Sequence, residues 1–158
     1  MEKIIENIEY NTSIAKVTLS KVIDRYGVAA EIFSALGQHG INVELISTSS
    51  AGRKRADISF ATLESDLDDV IRILEGIKSK FGAEEVMVDK DCALITISGA
   101  KLATAPGFAG KVFAKLSEQG INLEMISTSL SILSIVVKRE KLMAAVVAIK
   151  DAFAITKN

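Results

Sequence analysis

Hydrophobic positions in this chain fall into short alternating runs and longer runs of helical spacing, in an order that occurs twice. Ala15 to Leu19 alternates apolar and polar side chains through Ala15, Val17 and Leu19, which predicts a strand. Asp24-Arg25-Tyr26-Gly27 reads as a turn. Ala29, Ile32, Phe33 and Leu36 then follow helical spacing, and Gly37 and Gly40 close that helix. Asn42 to Thr48 and Ala56 to Thr62 alternate again, through Val43 and Leu45 and then Ile58 and Phe60. Leu67, Val70, Ile71, Leu74 and Ile77 mark a second amphipathic helix. Asp66, Asp68 and Asp69 sit at its N-terminal end, where the helix dipole favours negative charge. Glu85 to Val88 is a last short strand. The order β-α-β-β-α-β predicts an α+β unit of the ferredoxin-like type.

The unit then recurs. Residues 26–49 laid over residues 106–129, at a fixed offset of 80, are identical at about half the positions. Gly27/Gly107, Ala29/Ala109, Phe33/Phe113 and Leu36/Leu116 match, as does Gly40-Ile41-Asn42 over Gly120-Ile121-Asn122. Glu44/Glu124 and Ile46-Ser47-Thr48-Ser49 over Ile126-Ser127-Thr128-Ser129 complete the set. An ungapped match of that density sets the architecture before any single motif is weighed.

The second copy runs through Ala93–Ser98, Gly107–Gln119, Asn122–Thr128, Ile132–Lys138 and Lys141–Phe153, and lacks a closing strand. The chain meanwhile has an unassigned strand-like segment at its start, Lys3 to Glu9, with Ile4 and Ile8 on one face. The expected organisation is therefore a first unit over residues 11–89 and a second over 90–158 plus 1–10. The N-terminal strand completes the second sheet, and only two or three residues around Asp89-Lys90-Asp91 separate the units.

Composition narrows the chemistry. A hydrophobic fraction of 49% in 158 residues is high, and implies a large core or an extensive subunit interface. The longest uncharged stretch, Met125 to Val137, is interrupted by Ser and Thr and is shorter than the roughly 20 apolar residues a membrane span needs. The first ten residues carry Glu2, Lys3, Glu6 and Glu9 where a secretory signal needs an apolar core, so a cytoplasmic location is expected. A net charge of −1 argues against nucleic-acid binding, which draws on a basic face. The one basic run, Arg53-Lys54-Arg55, reads as a solvated hairpin turn. RNA-binding modules of this fold stack bases on sheet aromatics, whereas this chain has no Trp, two Tyr, and six Phe mostly on helix or core positions.

Reactive groups are scarce. The single cysteine, Cys92, excludes an internal disulfide and a Cys-based zinc cage, and opens a strand where a small buried hydrophobe fits. The single histidine, His39, falls at the end of the first helix, where a polar cap is favoured. Gly27 and Gly107 stand alone before their helices, without a nucleotide-binding glycine pattern. No catalytic site, metal site or cofactor is expected.

The repeat keeps polar character in two places. One is the strand-to-helix loop, Asp24 to Ala29 and its copy Thr104 to Ala109, where a helix N-terminus offers free N–H groups to a carboxylate. The other is the entry to the next strand at Asn42 and Asn122, whose amides can orient a small zwitterion. Asp24 adds an anionic partner for an α-ammonium. The same residues are also explained by helix capping at Asp24 and a plain helix stop at Gly-Ile-Asn, so both readings stay open on the residues alone.

Asp24-Arg25-Tyr26-Gly27-Val28-Ala29-Ala30-Glu31-Ile32-Phe33 resembles the loop and helix of ACT domains, D-x-P-G-x-A-A-x-x-F. The Gly-Ile-Asn segments, Ile126-Ser127-Thr128-Ser129, Ala105-Pro106-Gly107-Phe108-Ala109 and Ala56-Asp57-Ile58-Ser59-Phe60 are similar to the tandem ACT units of aspartate kinases over nearly the whole chain. The resemblance implies a non-catalytic regulatory region, partnered by a kinase domain or subunit. It further implies that two chains pair their ACT sheets and that lysine or threonine binds at the shared interface, for feedback inhibition in the aspartate-family pathway. The ligand contacts it implies are Asp24, Gly27, Ala29, Thr48, Asn122 and Leu123, with Asn42 the matching residue of the first unit. Tyr26 replaces the loop proline, Thr48 a usual Gln, and Leu130 a usual Glu. Those replacements support an alternative expectation, a dimerisation module without ligand in another amino-acid-metabolism protein.

Overall fold

The computed structural model describes residues 4–153 of the chain. It divides into two compact units, Ser13–Lys90 on one side and Met1–Thr12 with Asp91–Asn158 on the other. The strands and helices, in chain order, are β1 (Asn7–Ile23), α1 (Val28–Gln38), β2 (Val43–Gly52), β3 (Arg55–Leu63), α2 (Leu67–Ile77) and β4 (Val86–Ser98). They continue with α3 (Phe108–Glu118), β5 (Met125–Thr128), β6 (Ile132–Lys138) and α4 (Leu142–Ala152). Each unit is a βαββαβ arrangement with two helices on its sheet. No described helix is long and apolar enough to cross a membrane.

In the 13–90 unit the strand order is β2-β3-β1-β4. β1 and β3 run antiparallel, from Ile14 opposite Leu63 to Leu19 opposite Ile58. The core is built from Ala15, Val17, Leu19, Ile58 and Phe60 of the strands against Val28, Ile32 and Leu36 of α1 and Leu67, Val70 and Leu74 of α2. Phe33 meets Phe60 edge to face, with ring centroids 5.5 Å apart. The helix phase differs slightly from the sequence expectation. Val28, not Ala29, is the first buried residue of α1, because it stands four residues before Ile32. Ala29 is exposed.

Register shifts shape this unit, and besides one at Ser50/Gly52 beside the hairpin turn two stand out. The β1–β3 register shifts between Leu19 and Val22, with Lys21 at φ 52°. Burial changes parity across it: Ala15, Val17 and Leu19 face the core, and so does Val22. A second shift lies between Glu44 and Ser47 of β2, where Leu45 has φ 55°. Arg53 and Lys54 form the two-residue β2–β3 turn, both at positive φ, as such hairpins require. Both are exposed, but Arg55 is partly buried and belongs to β3, so the solvated turn holds two of the three basic residues.

In the other unit the order is β1-β4-β6-β5, with β4 antiparallel to β6 from Cys92 opposite Lys138 to Ser98 opposite Ile132. Phe108, Val112 and Leu116 of α3 and Leu142, Ala145, Val146 and Ile149 of α4 cover Ile95, Ile97, Leu133 and Ile135. The N-terminal segment completes this unit. Ile5 is 3% exposed within its core, Ile4 and Ile8 lie against it, and the Glu6 N–H donates to Ser98 O at 2.8 Å. Lys3 lies outside the described residues. Gly99 makes that approach possible, because a Cβ there would lie 2.1 Å from Ile4 O. The sequence expectation of separate short strands is corrected in one respect: β1 is continuous over 17 residues and β4 over 13. Neither Asn11-Thr12-Ser13 nor Asp89-Lys90-Asp91 contains a Gly or Pro to break an extended chain.

Candidate functional site

The loop between β1 and α1 and the second half of β2 enclose a cavity of about 180 Å³ in the 13–90 unit. Asp24, Arg25 and Ala29 line it from the loop and helix, Thr48, Ser49 and Ser50 from β2. A space of that size suits a small molecule rather than a drug-sized one. Its walls have local causes. Gly27 takes φ 86° as the residue before α1, a left-handed conformation that favours glycine. No side chain caps α1, so the first-turn N–H groups, including those of Ala29 and Ala30, have no acceptor within the helix. They combine with the positive end of the helix dipole to favour an anionic group there.

The charged side chains of the loop are divided in their roles. Arg25 is occupied: its Nη1 lies 3.7 Å from Glu31 Oε1 and donates to its neighbour Tyr26 O at 3.4 Å. Lys80 also hydrogen-bonds Glu31, and that ammonium holds the Glu31 carboxyl below the ordinary glutamate value, with Arg25 adding to the effect. The Asp24 carboxylate, by contrast, has no ion pair or hydrogen bond among the described residues, while its backbone N–H donates to Lys54 O at 2.9 Å. Its backbone is anchored and its carboxylate is open. An exposed carboxylate, a row of β2 hydroxyls and an uncapped helix start provide opposite charges for the two ends of an α-amino acid.

The repeat places a second cavity of about 220 Å³ in the other unit, between the start of α3 and the end of β5. Gly107, Ala109, Thr128 and Ser129 line it as the copies of Gly27, Ala29, Thr48 and Ser49. Leu102, Phe108 and Ile132 make the rest of it apolar, and no charged residue lines it. The two cavities therefore share backbone design and differ in electrostatics. An open groove of about 430 Å³ on α4 is lined by Met143, Ala144, Val147 and Ala148, with Gln119 and Asp151 its polar residues, and no helix start faces it.

Of the residues singled out by sequence, Asp24, Ala29 and Thr48 share one cavity, and Gly27 begins its helix. Asn42 lies before β2, exposed, with its carbonyl accepting from Thr62 Oγ1 at 3.4 Å. The first half of β2, with its bulge at Leu45, separates it from Thr48, and it does not line the cavity. Asn122 and Leu123 belong to the other unit, where Leu123 packs partly against the core and neither lines the cavity. Ser49, the last residue of the repeated Ile-Ser-Thr-Ser segment, and Ser50 just beyond it line the cavity without having been singled out as contacts from the sequence. His39 closes α1, with its N–H donating to Leu36 O at 3.1 Å and Nδ1 2.9 Å from Ala35 O. Cys92 is fully buried. Among the described residues no cluster of His, Cys, Asp or Glu is arranged to hold a metal ion.

A family model of the ACT domain matches residues 17–76 and 95–153. An aspartate kinase of Stutzerimonas stutzeri is 32% identical over 152 residues, covering 96% of this chain and 37% of that protein. The regulatory subunit of aspartate kinase from Thermus thermophilus, solved in a ligand-free form, superposes with a TM-score of 0.89 at 29% identity, over 96% of this chain and 99% of that one. A solved aspartokinase with alpha and beta subunits gives a TM-score of 0.89 at 26% identity, over 96% and 99%. The chain spans little more than a third of the length of the curated relatives it matches.

Proposed function

The chain belongs to the ACT-domain family, and on that premise we propose that it is the non-catalytic regulatory region of an aspartate kinase, binding an amino-acid effector of the lysine or threonine class. One observation carries the reading. The open Asp24 carboxylate, the uncapped start of α1 and the Thr48 hydroxyl line a single small cavity. The helix start receives the effector carboxylate, Asp24 its α-ammonium, and the β2 hydroxyls its remaining polar atoms. Bound effector favours one arrangement of the regulatory region over another, and shifts activity only through its differential affinity for the two.

The expected partners are a second copy of this chain and a kinase domain or subunit. Support for the first comes from β2 and β5, which end their units' strand orders and expose Ile46 (51%) and Ile126 (48%) at equivalent positions of the repeat. Unpaired strand edges of this kind template pairing with another chain. Support for the second is the likeness to a solved aspartokinase that has alpha and beta subunits. A cytoplasmic location accompanies this reading.

A second reading, a dimerisation module that binds no ligand, is favoured by the fully exposed Tyr26 and by Leu130, 79% exposed, beside the two cavities. Thermal denaturation with lysine, threonine and methionine separates the two. Effector binding raises the melting temperature with concentration for at least one amino acid. A folded dimer whose melting temperature ignores all three is the dimerisation module.

A further inference from the structure

The Asp24 loop leaves β1 directly after a bulge, and that bulge is held by side chains from β3 and from the segment just before β4. Lys21 N–H donates to Asp57 Oδ1 at 2.8 Å. Arg55 Nη1, which carries two hydrogens, donates to Lys21 O at 3.2 Å and to Gly82 O at 2.9 Å. Lys21 Nζ pairs with Glu84 at 2.9 Å. Gly82, at φ 61°, is the partner this contact needs, because a Cβ there would stand 2.6 Å from Arg55 Nη1. Three residues beyond the bulge, Asp24 N–H is bonded to Lys54 O, the residue next to Arg55. The path from Arg55 to Asp24 is thus short: the guanidinium bonds the Lys21 carbonyl, and one backbone hydrogen bond ties Asp24 to the residue before Arg55.

We propose that Arg55 is a positioning residue for effector binding: by clamping the Lys21 bulge to the turn at Gly82, it holds Asp24 at the cavity of the 13–90 unit. Among the described residues the other unit has no such device. Its loop leaves β4 at Ser98 with β4 and β6 in unbroken register, and its cavity carries no charged residue. The clamp therefore also assigns the preformed site to one copy of the repeat. This inference rests on the reading that Asp24 receives the effector's ammonium, so its test has one arm that needs no effector.

The first arm is calorimetric titration of lysine and threonine into the wild-type chain, Arg55→Ala, Asp24→Asn and the double variant. The expected result is a loss of about tenfold in affinity for each single variant, equivalent to about 1.4 kcal/mol, and no further loss in the double variant, because both act on one group. Arg55→Ala binding within twofold of wild type, or losses that multiply in the double variant, would overturn the proposal. The second arm is amide hydrogen exchange without ligand. Arg55→Ala should speed exchange at Lys21 and Asp24 and leave the β5–β6 amides unchanged; unaltered exchange at Lys21 and Asp24 overturns the clamp. A wild-type chain that binds neither amino acid refutes the effector reading and leaves the exchange result to decide the clamp alone. Gly82→Ala, which displaces the guanidinium while keeping its charge, serves where Arg55→Ala fails to fold, with the same outcomes expected.

Discussion

Replacing Gly99 by alanine tests how the N-terminal segment is joined to the unit it completes. The new methyl would lie 2.1 Å from Ile4 O, a backbone atom that no rotamer change can remove. Ordinary contact begins near 3.4 Å, so the segment must retreat by more than an ångström. That movement breaks the Glu6 N–H to Ser98 O bond at 2.8 Å and the Ala100 N–H to Glu6 Oε1 bond at 3.1 Å, each contributing about 1 kcal/mol. It also draws Ile5, 3% exposed, out of the core, and full burial of such a side chain contributes about 1.5–3 kcal/mol. Partial relaxation brings the expected cost to about 2–4 kcal/mol, within reach of ordinary overpacking penalties. Urea denaturation of wild type, Gly99→Ala, a chain lacking residues 1–6, and the combination measures it. The methyl should cost little once the segment it strikes is gone. A Gly99→Ala cost below about 0.5 kcal/mol, or costs that simply add in the combination, refutes the reasoning.

The remaining expectations are more local. Phe60, fully buried and edge-on to Phe33, should cost about 3–5 kcal/mol on truncation to alanine by urea denaturation; a cost under 1 kcal/mol contradicts its place in the core. Arg53→Asn with Lys54→Gly places residues suited to positive φ in the β2–β3 turn and should raise stability by about 1 kcal/mol, whereas an unchanged urea midpoint refutes the turn conformation. Glu31 has a folded-state pKa depressed mainly by Lys80, so its contribution is present above the ordinary glutamate range and lost as pH falls through the lower folded value. Carboxyl NMR titration should show Lys80→Ala moving that pKa upward, and an unmoved value denies the pairing.

The duplicated fold was legible because hydrophobic period and repeat agree: α1 and α2 fall where apolar spacing predicts a helix, and α3 and α4 where the repeat places their copies. The bulges were not. Nothing in Ser20-Lys21-Val22 announces a left-handed residue, since glycine, the usual signal, is absent there. Strand continuity through Asp89-Lys90-Asp91 was hidden for the converse reason, as charged residues that resemble a linker also suit an extended chain with exposed side chains. Around the cavity, Asp24 carried a readable signal in loop chemistry, whereas Thr48 was marked as a contact only by the family resemblance. Arg55 did not, because a basic run beside a turn looks solvated until its guanidinium is found on two carbonyls from distant segments.

The proposed effector site is tested most directly by two-dimensional amide NMR spectra of the chain titrated with lysine and with threonine. Saturable shifts largest at residues 24–30 and 47–50, and smaller at the copies 104–110 and 127–130, are the expected result for at least one of the two. Spectra that stay unchanged with both, or shifts that cluster away from the α1 start and β2, contradict the account.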